Sequence, residues 1–200
     1  KIQCICGIYF NNVNLTITGT GTLAIRNTAT ESKANYYKDI YGEENSSLTI
    51  DDTTVQCVAG SAEKALSAQV CGISLSKGAL KVHNGQLTVR TQNTTIAAYG
   101  IELNGTQAAL VLNGNSQITA VAGTSGDSYG IFYPSTIQLG AGAELYASGA
   151  KMAIYEDEDE DARSITTADG ATLSAKGKQE YNASSGLTEI SIHNNTIKAN

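Results

Sequence analysis

The sequence predicts an all-β fold, a parallel β-helix (β-solenoid) of about six to seven coils in which three short strands per coil wind round one narrow apolar core. Three observations carry that expectation. The 200 residues include 20 glycines, 10 tyrosines, one proline, one methionine and no tryptophan, with Thr, Ser and Asn dense throughout, which favours short strands and turns over helices. A degenerate repeat of three elements, A, B and C, recurs along nearly the whole chain. A turn rich in Gly, Asn and Asp follows every B element.

Element A has an isoleucine at its centre in every copy: Gly7-Ile8-Tyr9, Asp39-Ile40-Tyr41, Gly72-Ile73-Ser74, Gly100-Ile101-Glu102, Gly130-Ile131-Phe132 and Ala153-Ile154-Tyr155. Element B alternates apolar and polar residues, the period-two signature of a strand. Its first inward residue is Leu15, Leu48, Leu80, Leu110, Ile137 or Ile165, and its second is Ile17, Ile50, Val82, Leu112, Leu139 or Thr167. Element C supplies Leu23, Val55, Leu87, Ile118, Leu145 and Leu173, then a shrinking column of Ile25, Cys57, Val89, Ala120, Ala147 and Ala175. The shrinkage predicts a core that narrows, or neighbours that enlarge, toward the C-terminal end.

The turns between B and C, among them Asp51-Asp52-Thr53, His83-Asn84-Gly85 and Asn113-Gly114-Asn115, are short enough to close antiparallel hairpins. That pairing would leave element A without a place. Stacking equivalent strands of successive coils instead gives three parallel sheets and buries every inward column. One coil cannot bury its own apolar edge, so stability comes from neighbouring coils. Each inward aliphatic side chain contributes roughly 1.5 to 3 kcal/mol. With strands about 4.8 Å apart, six coils make a rod on the order of 25 to 30 Å long. Ile190, Ile192 and Ile197 are expected to begin an unfinished seventh coil, with Ile190 in element A and Ile197 in element B. Insertions concentrate between C and the next A, at residues 27–38, 59–70 and 91–98 and near Gly123. Within them, residues 61–70 read either as a short helical turn, with Ala62, Leu66 and Val70 on one face, or as an irregular loop.

Residues 1–200 are expected to form a single domain. Lys1 stands just before a strand without a start methionine, as in a trimmed or processed chain, and the expectation is a fragment of a longer exported protein with other domains. A formal net charge of -6 and a pI near 4.9 argue against nucleic acid as a partner, which requires clustered Lys and Arg. No apolar run approaches the ~20 residues of a transmembrane helix. Cys4, Cys6, Cys57 and Cys71 lack zinc-site spacing. Cys57 sits on an inward position, where a thiol behaves as a small hydrophobe, so buried thiols are expected, with disulfides as the alternative in an exported chain.

The Gly-Ile-Tyr, Leu-Thr-Ile and Gly-Thr-Leu-Ala-Ile phrases resemble the right-handed β-helix repeats of pectate-lyase-like proteins. More narrowly, they resemble adhesin-like or carbohydrate-binding domain-containing cell-surface proteins of anaerobic bacteria. The resemblance implies right-handedness, an extracellular or cell-surface location and a polysaccharide or host-cell glycan as partner. Enzymes of the broader fold gather several acidic groups on one sheet face. Here the outward residues of B (Thr16, Thr49, Lys81, Val111, Gln138, Thr166) and of C (Ala24, Gln56, Thr88, Thr119, Tyr146, Ser174) contain no carboxylate pair, so two-carboxylate hydrolysis has no home there.

The expectation is therefore a non-catalytic, adhesin-like or glycan-binding module, not an enzyme and without catalytic residues. A structural spacer and a polysaccharide lyase or hydrolase relative are the alternatives. The candidate glycan-binding residues are Tyr9, Tyr41, Glu102, Phe132 and Tyr155, outward on element A, where aromatic faces can stack on sugar rings and carboxylates accept hydroxyl hydrogen bonds. The Gly7, Asp39, Gly72, Gly100, Gly130 and Ala153 column is read as a shallow strip beside them, with Asp39 a further acceptor. The alternative is that exposed aromatics simply favour strands. No cofactor is expected. Within the acidic run Glu156–Asp161, Asp157, Asp159 and Asp161 form a candidate calcium site, against the alternative of a solvated charged segment.

Overall fold

The computed structural model of the protein describes residues 2–29, 31–125, 127–132, 134–155, 163–176, 179–181, 187–192 and 196–199, the backbone alone for Arg163 and from Lys176 onward. It is an all-β parallel solenoid with three parallel sheets, each receiving one strand from every coil and each seven strands long. Six strands of each sheet carry described side chains. The expected registers are met at every step. Ile8 pairs with Ile40, and the ladder continues through Ile73, Ile101, Ile131 and Ile154 in sheet A. Leu15, Leu48, Leu80, Leu110, Ile137 and Ile165 stack in sheet B. Leu23, Val55, Leu87, Ile118, Leu145 and Leu173 stack in sheet C. These columns close on one another in a single apolar core, because a slip of one residue in any strand would turn its aliphatic set to solvent; Leu23, expected to face inward, is the exception and is 36% exposed in the first coil, which has a neighbour on one side only.

The corners turn where residues tolerate the left-handed region. Asp52, Asn84 and Gly114 have φ of 50°, 45° and 64°, and the backbone amides of Asp52 and Asn84 donate to the carbonyls of His83 and Asn113 in the next coil. Turn chemistry and inter-coil pairing are thus satisfied together.

The seventh coil differs from expectation. Ile190 and Ile192 pair with Ile165 and Thr167 in sheet B, and Ile197 pairs with Leu173 in sheet C. The seventh A strand is Gln179–Tyr181, with Tyr181 beside Ile154. The difference has a simple cause. A spacing of seven fits both the A-to-B and the B-to-C step, and a tyrosine stands where every earlier coil has isoleucine.

A second correction concerns the small-residue column of sheet A. It faces the core, not solvent. Ala153 and Ile154 both belong to the core cluster, and Asp39 and Ile40 are both fully buried, so the A strand turns two consecutive residues inward and bends there. A Cβ on Gly7 would lie 2.6 Å from Ile25 Cγ2, and one on Gly72 would lie 2.0 Å from Val89 Cγ1. Glycine is needed in the A column because the C column fills the space. In the second coil the C residue is the smaller Cys57, and Asp39 takes the place of glycine.

The insertions build a satellite core on the loop-bearing edge, where Tyr37, Ala59, Leu66, Ala68 and Val70 pack together. The Tyr37 hydroxyl donates to Glu31 O at 2.9 Å and accepts from Lys33 N at 2.8 Å, pinning the first insertion. Residues 61–68 contain no helical turn; Leu66 makes an isolated parallel bridge to Thr94.

Candidate functional site

Because the A strands bend inward at one point, their alternation restarts there and one column points outward on each side of it. One column holds Tyr9, Tyr41, Ser74, Glu102, Phe132 and Tyr155; the other holds Cys6, Lys38, Cys71, Tyr99, Tyr129 and Met152. The second carries no periodic signal in the sequence, because its residues lie one position before the glycine column and vary from coil to coil.

At the N-terminal end of this face, Tyr9 and Tyr41 lie 5.5 Å apart with rings tilted at 50°. Both phenols donate to one carboxylate: Tyr9 to Glu43 Oε2 at 2.7 Å and Tyr41 to Glu43 Oε1 at 2.9 Å. Those hydrogen bonds hold the Glu43 carboxyl below its ordinary pKa. Tyr9 is 54% exposed, while Tyr41 is half-buried.

The middle of the face is polar and buried. Lys38 Nζ donates to Ser74 Oγ at 2.9 Å and reaches Glu102 Oε2 at 3.4 Å, and Ser74 Oγ donates to the same carboxylate oxygen at 2.6 Å. The ammonium also sits 4.1 Å from the centre of the Tyr41 ring, a cation–π contact. Burial alone would lower the Lys38 pKa, but attraction to Glu102, with smaller contributions from Cys71 and Cys4, outweighs it and the net shift is upward. Lys38 therefore stays charged. Glu102, only 6% exposed, is the anchor of this network and receives Gln69 Nε2 at 3.4 Å as well.

Over the network lies an open depression of about 460 Å³, lined by Gln3, Cys4, Tyr36, Lys38, Tyr41, Glu43, Gln69 and Glu102. Beyond it the face becomes aromatic again. Tyr99 stacks on Phe132 with centroids 4.2 Å apart and planes at 7°, and Phe132 stacks on Tyr155 at 5.3 Å and 17°. Tyr129 lies 4.7 Å from Tyr155, and Met152 completes the patch.

The five expected residues thus share one face but not one environment. Tyr41 and Glu102 line the depression, Tyr9 lies beside Tyr41 outside that lining, and Phe132 and Tyr155 belong to the second aromatic patch, where Phe132 is 8% exposed and presents little of its ring. Asp39, expected beside them, lies beneath the strand: its Oδ1 accepts from Asn27 N at 3.0 Å, and its burial takes it out of reach of a surface ligand. Asp157, Asp159 and Asp161 lie outside the described residues. Elsewhere, His83 Nδ1 pairs with Asp51 Oδ1 at 2.8 Å on the outer face of sheet B, and Asp52 brings a third ligand-type atom, all within 4.8 Å of one another. A hydrogen bond across adjacent coils accounts for the His83–Asp51 contact without a metal.

No protein-family model, curated protein or solved structure matches this chain. Among the described residues, no helix is long and apolar enough to cross a membrane.

Proposed function

We propose that the outer face of sheet A binds a glycan, and that the chain acts as a non-catalytic, adhesin-like module displayed outside the cell. The resemblance to right-handed, pectate-lyase-like β-helices and to adhesin-like cell-surface proteins supports the setting. One observation carries the ligand class: aromatic surface stands on both sides of a depression whose floor and walls are hydrogen-bonding side chains. A sugar ring offers an apolar face for Tyr9 and Tyr41 and equatorial hydroxyls for Gln3, Gln69, Glu43 and Lys38. That is the combination of apolar burial and few placed polar groups that orients a small ligand. An extended polysaccharide could continue to the Tyr99, Tyr129 and Tyr155 patch along the rod.

A binding role is favoured over hydrolysis by the state of the carboxylates. A general acid needs its pKa raised toward neutrality. Glu43 is shifted the other way by two phenol donors, and Glu102 is engaged by Lys38 and Ser74.

Binding to a polysaccharide array tests the reading, with Tyr41→Ala as the site variant and Tyr146→Ala, on the outer face of sheet C, as the control. The expected result is binding to at least one glycan class that Tyr41→Ala weakens about tenfold, matching the loss of one aromatic stacking contact. Absence of any glycan signal, or an equal loss with Tyr146→Ala, would reject the assignment.

A further inference from the structure

The chain holds its four cysteines in two contrasting settings. Cys57 and Cys71 are fully buried, and burial, the leading cause in each, pushes both thiols well above the ordinary thiol range. Such thiols are inert. Cys4 and Cys6, two positions apart on the strand Ile2–Asn11, project from the same side of sheet A, as strand alternation requires. Both are half-buried, and their sulfurs lie 2.9 Å apart. Cys4 lines the open depression, so a small molecule can reach it.

We propose that Cys4 and Cys6 form a two-cysteine thiol–disulfide exchange site whose substrate is a low-molecular-weight disulfide. The Cys4 thiolate attacks one sulfur of the substrate, forming a mixed disulfide and expelling one thiolate. Cys6 loses its proton to solvent and attacks the Cys4 sulfur, forming the Cys4–Cys6 bond and releasing the second thiolate. The protein is oxidised by two electrons, and the substrate disulfide is reduced to two thiols.

The assignment of attacking and resolving roles follows from the surroundings. The hydrogen bond shared by the two thiols, against the opposing effect of burial, holds the Cys4 pKa down to about 7, with Lys38 adding a further attraction. The same hydrogen bond and burial raise Cys6. Cys4 also lines the open depression, where a small disulfide can reach it, so it attacks first and Cys6 acts second. The strand also makes the product reversible. Two residues of extended chain in a parallel sheet separate their Cα atoms by about 6.6 Å, near the upper end of the range a disulfide spans. A bridge under such tension is readily reduced, unlike a structural one. This site is independent of glycan binding and stands or falls without it.

The test uses the full chain equilibrated in buffers of oxidised and reduced glutathione, quenched with acid, alkylated and mapped by peptide mass. The expected product is an N-terminal peptide lighter by two hydrogens, with Cys57 and Cys71 unmodified. Cys6→Ser should trap glutathione on Cys4, and Cys4→Ser should leave Cys6 unmodified under the same conditions. In the wild type, alkylation of Cys4 should rise with a midpoint near pH 7, moving upward in Cys6→Ala, which removes the hydrogen-bonding partner. Protection of Cys57 and Cys71 in every variant reports that the coils remain folded. The proposal is overturned if both thiols stay reduced even in oxidised glutathione alone, or if Cys6 takes up glutathione as fast in Cys4→Ser as Cys4 does in Cys6→Ser.

Discussion

Asp39 is the residue whose chemistry is most at odds with its place. Five of six coils put glycine or alanine at that position, yet the second coil buries a carboxyl, with Oδ2 lacking a hydrogen-bond partner among the described residues. Burial raises its pKa from 3.8 to about 7, against the opposing hydrogen bond from Asn27 N. With a folded-state pKa above the unfolded value, the native chain holds an extra proton between about pH 4 and pH 7. Stability from this group therefore falls as pH rises through that window and is flat above it. Asp39→Asn should remove this slope and unfold in urea at higher concentration than the wild type at pH 8, the gain reaching at most roughly 4 kcal/mol. Parallel stability-against-pH curves for the two proteins would show that the carboxyl is not held in this way. The sequence marked Asp39 as a surface acceptor because it stands beside tyrosines. Only the double inward turn at Asp39 and Ile40 places it in the core, and a strict period of two cannot reveal such a break.

At the scale of the element, the A strand is where sequence and structure part. Strands B and C follow strict alternation, and their inward residues were legible because aliphatic side chains recur at every second position in every coil. The A strand shares that clarity at its central isoleucine and loses it one residue earlier. Lys38, Tyr99 and Tyr129 consequently share no recognisable pattern in the sequence, although the isoleucine ladder puts them in one column with Met152. The buried Lys38–Ser74–Glu102 network has no signature in the chain either, since its members are far apart in sequence and meet only through stacking. The bend itself makes a sharp prediction. Gly72→Ala would set a Cβ 2.0 Å from Val89 Cγ1 and 2.8 Å from Gly100 O, and overpacking of this kind should destabilise by about 2 to 3 kcal/mol in chemical denaturation. Adding Val89→Ala should recover part of the loss, leaving the carbonyl contact. Gly21→Ala, which meets nothing within 4 Å, serves as the control. Equal stabilities for Gly72→Ala and Gly21→Ala would refute the close A-to-C packing.

For the whole molecule, repetition of one core pattern makes burial depend on having neighbours on both sides. Ile101, in the middle of its ladder, is fully buried, whereas Ile8 in the first coil is only partly so. Ile101→Ala should cost about 3 to 4 kcal/mol and Ile8→Ala distinctly less, as read from denaturation midpoints. The same stacking that fixes the core also lines up the outer residues of sheet A, so that side chains from six coils form one continuous face. Five inter-strand steps of about 4.8 Å separate Tyr9 from Tyr155, a span of about 24 Å. The most direct measurement of the proposed function is the affinity of a bound glycan class as a function of oligosaccharide length, in the wild type and in Tyr155→Ala. Affinity should grow with length until the ligand spans that face, and Tyr155→Ala should abolish the gain from the longest members while leaving the short ones unchanged. Affinity independent of length, or short ligands weakened as much as long ones by Tyr155→Ala, would contradict a single binding face running along sheet A.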